Sequence, residues 1–306
     1  LTPYFFGDYK FANRIFTEGI CYPLYLVSLV FLFRYLFEKK LKFFLYFLFT
    51  LSILILTRRQ FFFMYPLIII VISYSHFFLK ENKKTLSLIL CFLSTVFFTE
   101  IVERSYRFIK FDEFKPPPFG GIQLIAAPLY LSEIADLSLF NDPEEKQILR
   151  EVLNEMSSRK LNFVNSRNTQ YENYYQHFSA NYNKITWGIL YKKMKDKNLD
   201  WFQIDKICTS AGVKLIMNDP VKHFKLYFFS FKEMLGGYYL MVFYLILFFF
   251  SAIKVFTRKS NISLLLFITL LCSFSNYVLI SLVEPPLMRY TIYTEITQII
   301  VFLIIF

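Results

Sequence analysis

Apolar and polar positions divide the chain into three stretches. From Gly19 to Val102 long apolar runs alternate with short basic turns, a long polar stretch follows, and from Gly236 apolar runs return and continue to Phe306. Runs of about 20 residues with few charges are long enough to cross a hydrocarbon layer of roughly 30 Å as helices. Seven spans are predicted: Gly19 to Phe37, Phe43 to Leu56, Phe61 to Leu79, Thr85 to Val102, Gly236 to Phe256, Ile262 to Val283, and Tyr290 to Phe306. The second is short and borrows Leu41, Lys42 and Thr57 at its ends by snorkelling.

The polar stretch, 103–225, is too long for an ordinary connection and reads as a folded, mostly helical insertion. Asp142 is an N-cap with Pro143 at the first helical position, and Ile148, Leu149, Val152, Leu153 and Met156 give the apolar face of a helix that ends near Lys160. Asp200 opens a second helix through Trp201, Ile204, Ile207 and Cys208 towards Leu215, which Gly212 weakens. Asn218, Asp219 and Pro220 start a third, whose Phe224, Leu226, Tyr227, Phe228 and Phe231 among lysines predict an amphipathic helix on the outer membrane surface. A plain extension of the fifth span is the alternative. Lys115 to Gly121, with three consecutive prolines, is a rigid linker and turn. Asn162 to Asn183, rich in Tyr and Asn, suits stacking and hydrogen bonding to sugars, or is a polar surface loop. The predicted fold is all-α: a polytopic membrane helix bundle of about seven spans with a mostly helical extracytoplasmic insertion, divided as 1–102, 103–225 and 226–306.

Composition agrees with a membrane protein, since 56% of the 306 residues are hydrophobic and 21% aromatic, with 40 Phe and 22 Tyr. A net charge of +11 reads as topology and interface anchoring rather than nucleic-acid binding. Lys39, Lys40 and Lys42, then Lys80, Lys83 and Lys84, then Arg258 and Lys259 mark three turns as cytoplasmic by the positive-inside rule. Alternation then puts residues 1–18, the turn at Thr57 to Gln60, the insertion, and Glu284 to Arg289 outside. The excess of Phe, Ile, Lys and Asn suits AT-rich codons, and the predicted location is a bacterial inner membrane with the large domain outside.

Cys21, Cys91 and Cys272 lie in apolar spans and only Cys208 in the insertion, so no disulfide framework is predicted there. His76, His177 and His223 are isolated and read as interface or surface histidines; no metal-ligand spacing is present. No cofactor is predicted, with a divalent metal left open. No phosphate-binding glycine loop, nucleophile elbow, HExxH or dinucleotide fingerprint is present, and Glu100, Glu233 and Glu295 sit near span ends, which argues against a proton-coupled pump.

The polar residues that remain cluster at the predicted outer boundary: Glu18, Arg58, Arg59, Glu284, Arg289 and Tyr290. Arginines at that depth can grip phosphate oxygens bidentately where a lipid head group lies, or serve as interface anchors. Arg14-Ile15-Phe16-Thr17-Glu18 entering a span, Leu56-Thr57-Arg58 ending one, Asn218-Asp219-Pro220 leading into a helix, and the Glu284 to Tyr290 sequence EPPLMRY resemble, in this order, elements of the C superfamily of membrane glycosyltransferases. These include protein mannosyltransferases and aminoarabinose transferases, which use polyprenyl-phosphate sugars. Each motif is short, and their order along most of the chain carries the resemblance.

It implies transfer of a sugar from a polyprenyl-phosphate donor to a lipid, glycan or protein acceptor, with Arg58, Arg59, Arg289 and Tyr290 near the lipid phosphate and Glu18 and Glu284 supporting them. The catalytic acid is unassigned. The family carries it on an early outer loop, Asp8 is too close to Thr17 and Glu18 to match, and the opening at Leu1 predicts that an N-terminal portion precedes it. An envelope polysaccharide polymerase or ligase, and a non-enzymatic membrane scaffold or sensor, remain alternatives at this stage.

Overall fold

The computed structural model describes residues 17–77, 82–116, 118, 120–168, 173–258, 260–283, 293–294, 299 and 301. The described residues are helical apart from turns and short linkers, with no strand among them, so the fold is all-α. In chain order the α-helices are α1 (Thr17–Glu38), α2 (Leu41–Thr57), α3 (Tyr65–Phe77), α4 (Asn82–Phe111), α5 (Gly120–Leu131), α6 (Pro143–Ser158), α7 (Tyr174–Asn183), α8 (Lys192–Asp196), α9 (Trp201–Asn218), α10 (Pro220–Met234), α11 (Tyr238–Arg258) and α12 (Asn261–Val283). A 3-10 turn, Arg59–Met64, leads into α3, and a π-helical stretch, Lys184–Tyr191, joins α7 to α8 without a break.

Among the described residues, five helical segments are long and apolar enough to cross a membrane: Gly19–Glu38, Arg59–Phe77, Lys84–Phe111, Tyr238–Thr257 and Asn261–Leu282. The chain is therefore a multi-pass membrane protein. Of the seven predicted spans, the second is the shorter apolar helix Leu41–Thr57. At about 1.5 Å per residue it reaches roughly 26 Å, just under the hydrocarbon thickness. The seventh falls largely outside the described residues.

The chain separates into two compact units, one of residues 1–116, 239–279 and 288–306, the other of residues 117–238 and 280–287. In the first, Leu32, Phe44, Phe47, Leu51, Leu54, Phe61, Leu67 and Ile68 form one continuous apolar core. Only 17% of the α4 span is buried against protein, whereas 72% of the α12 span is. That difference makes α4 a lipid-facing helix and α12 an interior one, which is why α12 can bury Thr269, Ser273 and Asn276 in a mostly apolar run.

In the second unit α5 lies against α9, and their contact explains two glycines. A Cβ on Gly121 would collide with the Asp205 backbone carbonyl, and one on Gly212 would press on Ile125 Cα at 3.3 Å. Gly212 thus continues α9 rather than ending it. The Gly121 amide donates to Asp205 Oδ1 at 2.7 Å, fixing the start of α5 on the side of α9. Around this pair Ile122, Ile125, Tyr130, Val152, Met156, Ile185, Ile189, Ile204 and Cys208 make the unit's core.

Local chemistry sets the helix ends. Asp142 accepts from the Glu144 amide at 2.9 Å, Asp200 and Gln203 form a reciprocal capping box, and Asp219 accepts from the Lys222 amide at 3.0 Å ahead of Pro220. Left-handed residues close α1, α4, α6 and α8, with φ of 57° at Lys39, Asp112 and Lys160 and 60° at Asn198. Helix α10 ends at Met234, and Gly236 (φ 82°) and Gly237 (φ 99°) turn the chain before α11. It is a helix of its own and not an extension of the fifth span. Its His223, Leu226 and Ser230 are buried while Val221, Phe224 and Phe228 are exposed.

Two expectations are overturned. The Asn/Tyr-rich segment is no surface loop where it is described: it holds a 3-10 turn, Phe163–Asn168, and α7, which buries Tyr175, Phe178 and Tyr182 in the core. Nor are His177 and His223 surface residues, being 2% and 3% exposed.

Candidate functional site

Arg58 caps the C-terminus of α2 in extended backbone (φ −156°, ψ 112°), its amide still closing the last turn on Leu54 O at 2.8 Å. The chain then tightens into the 3-10 turn, because Phe61 and Phe63 plunge back into the core against Tyr25, with ring centroids 5.9 and 6.1 Å away. This change of path sends three consecutive polar side chains in three directions. Arg58 Nη1 donates to Tyr293 Oη at 3.3 Å. Arg59 Nη2 pairs with Glu103 Oε2 at 2.7 Å and Glu100 Oε1 at 3.2 Å on α4. Gln60 Nε2 donates to Asn276 Oδ1 on α12 at 2.9 Å.

Tyr293 is fully buried, packed edge-on against Phe61 with centroids 4.9 Å apart, and Asn276, also fully buried, donates to Thr294 at 3.3 Å. The Arg58-Arg59-Gln60 turn therefore ties the α2–α3 corner to α4, to α12 and to the C-terminal segment at once. All three partners belong to the same compact unit. Lys39, by contrast, lies 5.3 Å from the Tyr74 ring near the end of α3, so the basic α1–α2 turn occupies the opposite end of the bundle.

The two arginines are not equivalent. Arg59 is held by two carboxylates, and Arg104 bonds Glu100 as well at 3.4 Å, so this group is a balanced ionic network about a third exposed. An exposed network of that kind orients side chains more than it stabilises the fold. Arg58 bonds a neutral phenol whose ring also lies 5.9 Å from its guanidinium carbon. The guanidinium is planar and permanently charged, and its fork geometry matches the oxygens of a phosphate.

Of the residues predicted at the site, Arg58 and Arg59 are thus adjacent at one end of the bundle. Glu18 lies in the first turn of α1, in backbone only, and Arg289, Tyr290 and Glu284 fall outside the described residues, as does Asp8. Sequence reading missed Gln60, Glu103, Asn276 and Tyr293. A signal existed for Asn276, the side-chain amide within the predicted span Ile262 to Val283, because a polar side chain there needs a partner.

The second unit holds a polar cavity of about 260 Å³ between the C-terminal ends of α5 and α9 and the start of α10. Glu133, Asp136, Asn218, Asp219, Lys222 and His223 contribute to its wall. Burial lowers the His223 pKa, with the Leu215 carbonyl and Asp219 opposing in part, so the ring is neutral at pH 7. His177 is lowered by burial too, but its place is structural: Nδ1 meets Tyr130 Oη and Nε2 meets the Lys160 carbonyl, each at 3.1 Å. None of the four cysteines forms a disulfide, and burial pushes the Cys208 thiol well above its usual range, which makes it unreactive. No group of three His, Cys, Asp or Glu side chains able to hold a metal ion occurs among the described residues.

Comparison of the chain with protein-family models, with curated proteins and with solved structures gives no match in any of the three.

Proposed function

We propose that the chain is a membrane glycosyltransferase that moves a sugar from a polyprenyl-phosphate donor to an acceptor on the non-cytoplasmic face of a bacterial inner membrane. The observation that supports this reading is the Arg58-Arg59 corner: two arginines in succession where an apolar helix ends, one bonded to a buried tyrosine, the other locked by carboxylates. A lipid monophosphate has its tails among such helices and its phosphate at their ends.

In the reaction the acceptor hydroxyl attacks the anomeric carbon and loses its proton to a carboxylate base. The bond from that carbon to the phosphate oxygen breaks, and its electron pair leaves with the lipid phosphate. Arg58 stabilises the charge gathering on that phosphate, and Arg59, through Glu100 and Glu103, positions the corner.

Loss of one such charge-stabilising donor lowers turnover by about 10²–10³-fold. Arg58→Ala accordingly abolishes most transfer from a polyprenyl-phosphate monosaccharide in reconstituted vesicles, and Arg58→Lys, a point charge without the fork, restores only part. Wild-type rates in both variants, with normal expression, contradict the proposal. Use of an oligosaccharide diphosphate instead favours a polymerase.

A further inference from the structure

The polar cavity of the second unit shares no residue with the arginine corner, and its chemistry is different. It is walled by three carboxylates, Glu133, Asp136 and Asp219, against the single ammonium of Lys222, with Asn218 and His223 between them. That balance disfavours an anion such as a lipid phosphate.

The cavity is held in shape by its own hydrogen bonds. Asp136 accepts from the Glu133 amide at 2.9 Å and from Asn218 Nδ2 at 3.2 Å, and Lys222 Nζ donates to the Leu131 carbonyl at 2.6 Å. His223 is the exception. It lines the cavity, is 3% exposed, and its Nδ1 has no hydrogen-bond partner among the described residues. A buried ring nitrogen left this way is destabilising unless something completes it.

A second cavity of about 350 Å³ adjoins the first, sharing Leu131, Asp219 and Lys222; Lys225 and the rings of Phe163 and Tyr174 also line it, so across both cavities three carboxylates still outnumber two lysines. These two rings meet edge to face at 5.4 Å, and Lys222 Nζ sits 5.0 Å over Phe163. A polar lobe rich in acceptors thus continues into an aromatic one.

We infer that this pair of cavities is a carbohydrate-binding site that takes a short neutral glycan, one sugar ring in the polar lobe and the next against the Phe163 and Tyr174 rings. Carboxylates accept from vicinal hydroxyls, an amide both donates to and accepts from them, and a hydroxyl satisfies a neutral imidazole nitrogen whether that nitrogen is donor or acceptor. The polar lobe, at about 260 Å³, is below the roughly 300–1,000 Å³ of sites for drug-sized ligands and suits a single ring. The inference stands apart from the transferase reading, since it uses no residue of the arginine corner.

The test is saturation-transfer-difference NMR on the full chain in lipid nanodiscs, with methyl glucoside, methyl galactoside, methyl N-acetylglucosaminide and one neutral disaccharide as probes, and ethanolamine as a hydroxyl-poor cationic control. The site binds at least one of the sugars, the disaccharide more tightly than its single ring. Asp136→Asn and His223→Phe each weaken that binding about tenfold, the loss expected of one strong hydrogen bond, with thermal stability of the sugar-free protein not lowered in His223→Phe because a buried polar atom without a partner is removed. Arg58→Ala leaves it intact, so failure of the transferase reading is separable. No sugar bound, binding indifferent to both substitutions, or a site filled by ethanolamine in place of sugars overturns the inference.

Discussion

Removing the Gln60–Asn276 hydrogen bond measures how firmly the arginine corner is built. The bond is 2.9 Å long, joins the start of the 3-10 turn to α12, and has a fully buried Asn276 at one end. In water a bond of this kind contributes about 0.5–1.5 kcal/mol net, while within membrane bundles such pairs average roughly 0.6 and reach about 1.7 kcal/mol. The single Asn276→Ala change also loses the 3.3 Å bond to Thr294, so it costs about 1–3 kcal/mol, more than Gln60→Ala. The coupling between the two positions, from single and double variants unfolded by SDS in mixed micelles, is about 0.6–1.5 kcal/mol. The exposed Arg34–Glu38 pair on α1 serves as control, since an exposed (i, i+4) ion pair is screened by solvent and contributes little. A Gln60–Asn276 coupling no larger than the control refutes the claim that the corner is clamped to α12.

Gly121→Ala destabilises the second unit by about 1–3 kcal/mol, because the added Cβ meets the Asp205 carbonyl and either α5 or α9 must move; loss of its protease resistance at lower temperature is the readout. Lys160→Gly acts in the opposite sense, raising stability by about 1 kcal/mol by relieving a left-handed residue, while the Lys160 carbonyl still meets His177. His177 and His223 both have pKa values lowered by burial, so the folded state binds fewer protons than the unfolded one just below the free histidine pKa. Stability from this source is full above about pH 6.5 and declines as pH falls through the folded values, which a melting series from pH 7.5 to 5 records. The His223→Phe variant shows a shallower decline.

Much of the helical framework was legible because its signals are local. Asp142-Pro143, Asp200 with Gln203, and Asp219-Pro220 each announce a helix start within four residues, and each is an N-cap in the structure. The ends were harder. Glu103, Arg104 and Arg107 are polar enough to suggest that a span has stopped at Val102, yet α4 runs on to Phe111, since a helix leaving hydrocarbon can continue as an amphipathic or charged one. Tyr175 and Tyr182 look solvent-directed among asparagines, and only the packing of α7 shows them inside.

At the corner, Arg58 and Arg59 stood out as charges between apolar runs. Their partners did not, because Glu100 and Glu103 lie 41 and 44 residues from Arg59 and Tyr293 lies 235 from Arg58. Pairing over such separations is a property of helix packing and leaves no mark in a local pattern.

The central claim is tested most directly by giving the purified wild-type chain, in proteoliposomes, a radiolabelled sugar on a polyprenyl monophosphate beside the same sugar on a diphosphate. The account predicts that label leaves the monophosphate donor, appears on an acceptor, and releases polyprenyl phosphate in equal amount. A monophosphate donor that stays intact in the presence of membrane lipids, glycans and proteins as acceptors, whatever happens to the diphosphate, contradicts it.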